Sequence, residues 1–359
     1  MDRIRNFYKY YTKDFSYKDL EKLFKQDAPE VYDFYVNRMK QSDKDTSVTG
    51  RIKFIRNLFI EFLMQMSPAR RIVYSIALII FMLGYFNGNW QWAVFSFLLV
   101  NLLIAFELAD KITAKDELSV ARDIQSSLMP KESPLNKNYE ICGYSDSARE
   151  VGGDYFDFII DESIPDKMYL VIGDISGKGM AAAIHMVQVR AILHNLVLTH
   201  DSPKSILVAL NSNLNKMLRA GSFFTVSMAH LNSGKTLKLC RAGHLPLILY
   251  SRKENMCKNI IPYGMGIGLG NNILFEKTLE EISIEPETGD ILVFYTDGVV
   301  EAMNGYLQEF GEERLNRVIR QNAHKPAGLI KDAILDAVES FAQSTPRHDD
   351  LTMIVMKAI

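Results

Sequence analysis

The sequence predicts a layered α+β domain over residues 131–359, preceded by a pair of apolar helices and a basic N-terminal stretch. Three observations lead there. Short apolar runs alternate with two pairs of longer helical runs after residue 130, which is how helices layered on sheets read. Residues 72–106 hold 35 consecutive positions without a formal charge. Charge is also partitioned: Lys plus Arg against Asp plus Glu stands at 15 to 10 over 1–71, none of either over 72–106, and 26 to 33 over 107–359.

The first 69 residues form a region rich in Tyr, Lys and Asp, with short helical stretches such as 17–24 and no residue pattern of chemical character. Within it, Ile55, Leu58, Phe59, Phe62 and Met66 follow helical spacing, with Lys53 and Arg56 beside them, until Pro68 ends the run. That segment reads equally as a helix lying in a membrane interface and as a core helix of a small N-terminal domain.

The uncharged block sets the next element, over 70–107. The polar turn Asn87-Gly88-Asn89-Trp90-Gln91 divides it into halves at 72–86 and 92–106. A two-helix transmembrane hairpin is expected, although each half is shorter than the ~20 residues that ordinarily cross a bilayer. Arg51, Lys53, Arg56, Arg70 and Arg71 precede the block and Lys111 and Lys115 follow it, so both flanks, and with them the N-terminal region and the C-terminal domain, are expected in the cytoplasm. A buried helical pair in a soluble bundle is the competing reading.

A polar helix follows through Leu128, stopped at Met129-Pro130, so residues 108–130 read as a linker. Ala114, Leu118, Ala121, Ile124 and Leu128 form one apolar stripe along it, suited either to pairing two chains as a homodimer or to packing on its own domain. Beyond it, strands are expected over 139–144, 154–160, 169–172, 224–231, 236–241, 245–250, 291–295 and 351–356. Helices are expected over 180–197, 203–218, 312–321 and 326–342.

Composition removes several function classes. A net charge of -2 gives no basis for nucleic-acid binding. Three cysteines without CxxC spacing, and no histidine pair at ligand spacing, indicate neither a disulfide framework nor a zinc site. The run Gly173–Gly179 lacks phosphate-loop spacing, and the glycines over 264–270 lack the helix and acidic residue of a dinucleotide site, so that run reads as a flexible loop.

What the sequence offers instead is aspartate at strand ends: GGDYFDF (152–158), GDISGKG (173–179), YTDGVVEA (295–302) and HDDLTMIV (348–355). A lone Gly-Asp is ordinarily a turn or a cap. Several carboxylates held by rigid strand ends suit a hard cation such as Mg2+ or Mn2+, and two such ions could hold hydroxide for attack at phosphorus.

With RAGH (241–244), these motifs occur in the order seen in PPM-type (type-2C) serine/threonine protein phosphatases of the RsbU/SpoIIE branch, which residues 115–359 resemble. Residues 121–130 are similar to that branch's leading helix. The resemblance implies an αββα sandwich with two metal ions, Mn2+ or Mg2+, between the sheets. It implies Asp174 as the bridging ligand, helped by the carbonyl of Ile175, with Asp297 and Asp349 completing one site and Asp154 serving the second directly or through water. Eukaryotic members carry a proposed general-acid histidine where Ser176 stands here, which leaves leaving-group protonation unassigned. Lys178 and Arg149 are candidate phosphate cations, and His244 reads as structural or catalytic. The implied activity is hydrolysis of a phosphoserine or phosphothreonine on a regulatory protein, such as an anti-sigma-factor antagonist, at the membrane. A non-catalytic membrane-bound signalling module that uses the fold only for binding is the alternative.

Overall fold

The computed structural model describes residues 48–148, 150–160, 167–177, 179–218, 221–231, 234–343 and 345–359. The chain divides into two compact units, Met1–Thr113 and Ala114–Ile359. The expected helical stretches before residue 48, and the side chains of Arg149 and Lys178, lie outside the described residues.

In the first unit, helix α1 (Val48–Gln65) ends two residues before α2 (Pro68–Phe86). Ser67-Pro68 is a favourable start, because proline in the first turn loses no helical hydrogen bond. At 19 residues, α2 starts earlier than the apolar run suggests and is about 28 Å long. The next helix, α3, runs without a break from Trp90 to Leu128, so the expected apolar half and the polar linker are one element.

Small residues let α2 and α3 meet. Ser96 donates its hydroxyl to the carbonyl of Ala77, and a Cβ on Gly84 would stand 2.9 Å from the nitrogen of Ala93. Arg70 pairs with Glu107 at 3.0 Å and Asp110 at 2.7 Å. Large side chains such as Ile72, Ile79, Phe86, Phe97 and Leu98 are exposed. By length and composition α2, α3 and a third helix, Met180–Val197, are apolar enough to cross a membrane. That third helix buries Met186, Val189, Leu193 and Leu196 in its own domain.

The second unit carries two five-stranded antiparallel sheets. One has the order β1 (Tyr139–Asp146), β10 (Leu351–Ala358), β9 (Ile291–Tyr295), β6 (Leu247–Ser251), β7 (Met256–Ile260). The other has β2 (Asp154–Ile160), β3 (Met168–Ile175), β4 (Phe224–Leu231), β5 (Leu237–Ala242), β8 (Glu281–Ile284).

Alternation along each strand builds four layers. Leu170 and Ile172 of β3 face Ile354 and Met356 of β10 in the core between the sheets. Tyr169, Val171 and Ile175 turn the other way, onto α4 (Met180–Val197) and α5 (Pro203–Leu214). Met353 and Val355 likewise turn onto α8 (Gly311–Asn322) and α9 (Ala327–Ala342). The α+β fold with two sheets thus follows from strands that are apolar on both faces.

Several boundaries differ from expectation. Helix α5 stops at Leu214 rather than 218, and β3 extends to Ile175, carrying Asp174 within the ladder. Strands β7 and β8 and the short helix α6 (Asn272–Thr278) were not expected. β7 is an edge strand with mostly exposed positions, so hydrophobic periodicity does not mark it. The 264–270 run is not a flexible loop: Phe224 and Ile267 exchange both backbone hydrogen bonds, at 2.9 Å each, which fastens it along β4.

Candidate active site

Antiparallel pairing of β2 with β3 sets Asp154 opposite Asp174, at the end of the ladder nearest the glycine loop. On the other sheet, β9 ends at Tyr295 and the chain turns through Thr296 into the four-residue helix α7 (Asp297–Val300). Asp349 and Asp350 immediately precede β10, which pairs with β9. Each sheet therefore delivers carboxylates to the same end of the sandwich.

Asp174, Asp297, Asp349 and Asp350 line one cavity of about 260 Å3, together with Gly152, Gly153, Ser176 and His348. Two close backbone approaches shape it. A Cβ on Gly298 would lie 2.0 Å from the carbonyl oxygen of Asp350, so only glycine lets the turn after Asp297 abut the Asp349 loop. A Cβ on Gly153 would lie 2.8 Å from the carbonyl oxygen of Ile175 and 3.0 Å from Oδ1 of Asp174. Gly153→Ala is therefore expected to displace both oxygens and to lower activity about tenfold or more, with a smaller effect on melting, since a misplacement of 1 Å can cost two orders of magnitude in rate. Parallel rate and thermal-unfolding measurements would check it; unchanged rates would show that these oxygens need no fixed place.

Asp154 does not line the cavity. Its carboxylate is buried beneath the site and accepts a hydrogen bond from the Thr296 hydroxyl at 2.7 Å. Burial holds its carboxyl well above the usual carboxylate range; the Thr352 and Thr296 hydroxyls oppose that shift, and the negative charges of Asp174 and Asp350 add to it. Asp157, the second aspartate of the same motif, faces away. It accepts from Tyr155 Oη at 3.0 Å, pairs with His194 Nε2 at 2.7 Å, and lies 3.2 Å from Arg190 Nε, fastening α4 to β2.

Three residues that sequence reasoning missed organise the rest. Asp350 accepts from Ala148 N–H through Oδ1 at 2.9 Å and from Gly153 N–H through Oδ2 at 2.8 Å, which makes it the brace of the glycine loop. Thr296 links the two sheets through Asp154. Gln125 of α3 donates to the carbonyl of Gly152 at 2.8 Å and accepts from its N–H at 3.1 Å. Gln125, beside the expected apolar stripe, is thus buried, whereas Ile124 of the stripe is exposed. An amide side chain seated between Leu118, Ala121 and Leu128 was the available signal.

The remaining candidates fall into supporting places. The Ser176 hydroxyl accepts from the Phe223 N–H at 2.7 Å while Ser176 N–H donates to the Phe223 carbonyl, so this side chain is engaged with backbone. His244 is buried, with Nδ1 3.0 Å from the Thr225 hydroxyl and the Tyr295 backbone carbonyl close to its ring. Burial pushes its pKa down to about 4, the Tyr295 carbonyl opposing and the Arg241 charge adding. It is a neutral imidazole inside the sandwich and does not line the cavity.

The donor set, carboxylate oxygens with the Ile175 carbonyl nearby, has the chemistry of a hard divalent-cation site. Among the described residues, no three His, Cys, Asp or Glu side chains converge closely enough to hold one ion as placed. The residues fit the group in kind, and Asp174, Asp297 and Asp349 share a cavity.

The family model for Stage II sporulation protein E (SpoIIE) matches residues 164–359. The chain is 27% identical over 246 residues to phosphoserine phosphatase RsbU of Bacillus subtilis (strain 168), a match that covers 68% of this chain and 70% of RsbU. Among solved structures, the SiaA-PP2C domain of Pseudomonas aeruginosa matches with a TM-score of 0.60 at 19% identity, covering 69% of this chain and 98% of that one. The RsbU and RsbW domains of Rv1364c from Mycobacterium tuberculosis match with a TM-score of 0.52 at 24% identity, covering 63% and 61%. At those identities the structural likeness bears on fold alone. With more than half of its length matched, the chain belongs to the SpoIIE family and is a serine/threonine protein phosphatase of PP2C type.

Proposed function

We propose that the protein is a membrane-anchored, metal-dependent phosphatase acting on a phosphoserine or phosphothreonine of a small regulatory protein, of the anti-sigma-factor-antagonist kind that the resemblance implies. The observation that carries the reading is that Asp174, Asp297 and Asp349, each at the end of a strand or beside one, line a single cavity. Asp174 with the Ile175 carbonyl, Asp297 and Asp349 would hold two Mn2+ or Mg2+ ions, with Asp154 behind Asp174 serving through water. Bound there, the ions supply Lewis-acid polarisation of the phosphoryl oxygens and a water of lowered pKa.

The chain's own part is positional. Thr296 fixes the Asp154 carboxylate by a direct hydrogen bond, and Gly298 lets Asp297 approach the Asp349 loop. Asp350 holds Gly153 against Asp174. Ser176, engaged with Phe223, is a poor candidate for protonating the leaving group, and His244 is held neutral and buried. Chelation of the compact unit Ala114–Ile359 should abolish hydrolysis of a chromogenic phosphate ester, and Mn2+ or Mg2+ should restore it. The same titration should raise its melting temperature, since a ligand that binds only the folded state stabilises it. Turnover that survives chelation would sink the metal reading.

Helix α2 and the first half of α3 are read as the transmembrane hairpin, with both flanks cytoplasmic. Their exposed apolar side chains, the small residues at their contact and the basic flanks support this. The turn at Gly88, next to exposed Trp90 and Trp92, would reach the far side. An Asn89→Cys variant should then be labelled by an impermeant thiol reagent in intact cells, and protection of a membrane-bound chain would favour an embedded hairpin.

A further inference from the structure

Helix α1 presents an arc of exposed apolar side chains that the described residues of its unit do not cover. Ile52, Ile55, Phe59, Ile60 and Met64 are 41% to 64% exposed, and Ile52, Ile55 and Phe59 follow each other at steps of 3 and 4. Exposed Lys53 and Arg56 share that arc, while Glu61 stands on the opposite side, engaged with Gln65 at 3.1 Å. Phe62, beneath, packs edge-on against Tyr74 of α2 with ring centroids 5.8 Å apart.

The elbow between α1 and α2 is also fixed. Arg71, in the first turn of α2, donates through Nε to the Leu63 carbonyl at 3.0 Å, and through Nη2 to the carbonyls of Met66 at 3.2 Å and Met64 at 3.3 Å. Carbonyls at a helix end lack intrahelical partners, and Arg71 of α2 supplies donors to the end of α1 and the turn after it. An arc that is apolar and punctuated by cations suits a bilayer interface, where the apolar groups enter the acyl boundary and the cations reach headgroup phosphates.

We propose that α1 lies in the plane of the membrane and binds the anionic cytoplasmic leaflet through Ile52, Ile55, Phe59, Lys53 and Arg56. The proposal rests on the reading of α2 and α3 as a spanning hairpin, which brings the end of α1 to the bilayer surface. The occupant is anionic phospholipid: cytoplasmic leaflets are negative, and the arc carries cations without an acidic residue.

The test uses the full chain in proteoliposomes, with the photoreactive residue p-benzoylphenylalanine in place of Phe59 and adducts identified by mass spectrometry. Lipid adducts should form in vesicles of phosphatidylglycerol with phosphatidylcholine, and should drop in phosphatidylcholine alone. The same probe in place of Leu58, on the half-buried side, should give few. Lys53→Gln and Arg56→Gln should each reduce the lipid adducts by about fivefold, the scale of one basic residue near an anionic surface. Adducts to a second copy or to residues 1–47 instead of lipid would overturn the proposal, as would equal yields in both vesicles. Release of the chain by alkaline carbonate would remove the spanning reading and this inference with it, whereas a carbonate-resistant chain without lipid adducts would remove this inference alone.

Discussion

Asp174→Asn is expected to lower phosphoester turnover by at least about 10²- to 10³-fold, the scale on which removal of one preorganised electrostatic element acts. Its melting temperature should stay near that of the parent. Asp174 lines the cavity, its backbone remains in the β3 ladder opposite Asp154 and Thr225, and the loss of one negative charge eases the burial of Asp154. Rates at saturating Mn2+, measured beside thermal unfolding, separate chemistry from folding. Full activity in a folded variant would remove Asp174 from the metal-bridging role.

The second large effect concerns a residue that does not need to touch the metal. Asp350→Ala takes the carboxylate from the N–H groups of Ala148, Gly153 and Asp154, the last two buried. Buried donors left unpaired cost about 1 to 3 kcal/mol each, so a loss of about 2 to 5 kcal/mol is expected, offset in part because Asp154 loses a like-charged neighbour. For a domain of this size that is a fall of about 5 to 15 °C in Tm. Asp350→Asn keeps one acceptor oxygen and should fall between the two. Activity should drop with stability, because the Gly153 backbone abuts Asp174; an unchanged Tm in Asp350→Ala would show that water replaces the carboxylate without cost.

The strands easiest to read were those sandwiched between layers. Residues 154–160, 224–231 and 291–295 are apolar on both faces, so their boundaries coincide with β2, β4 and β9. β7, reading Met-Cys-Lys-Asn-Ile, owes its conformation to pairing with β6 rather than to burial, and a pattern of hydrophobicity cannot report pairing. The site divides along the same line. Asp174, Asp297 and Asp349, which line the cavity, stand out in the sequence because each adjoins an apolar run, the first two also next to glycine. Asp350 does not, because its meaning lies in the N–H groups of Ala148, Gly153 and Asp154, roughly 200 positions earlier in the chain. Gln125 was hidden for a related reason: as a polar residue next to an apolar stripe it looks solvated until the Gly152 peptide is placed against it.

The buried carboxylate of Asp154 also constrains which wrong structures the domain can adopt. Two sheets with smooth aliphatic faces can slide past each other at little cost, because one Leu or Ile neighbour serves nearly as well as another. Asp154 ends that tolerance. Its oxygen finds the Thr296 hydroxyl only when β2 stands at one height against β9, and Thr352, which donates its N–H to Thr296 Oγ1, holds β10 to the same level. A compact state docked one residue away would strand an acid among hydrocarbons and forfeit a hydrogen bond worth more there than in water. Asp154 and Thr296 therefore act as a vernier for the sandwich, rejecting near misses during folding before any substrate arrives.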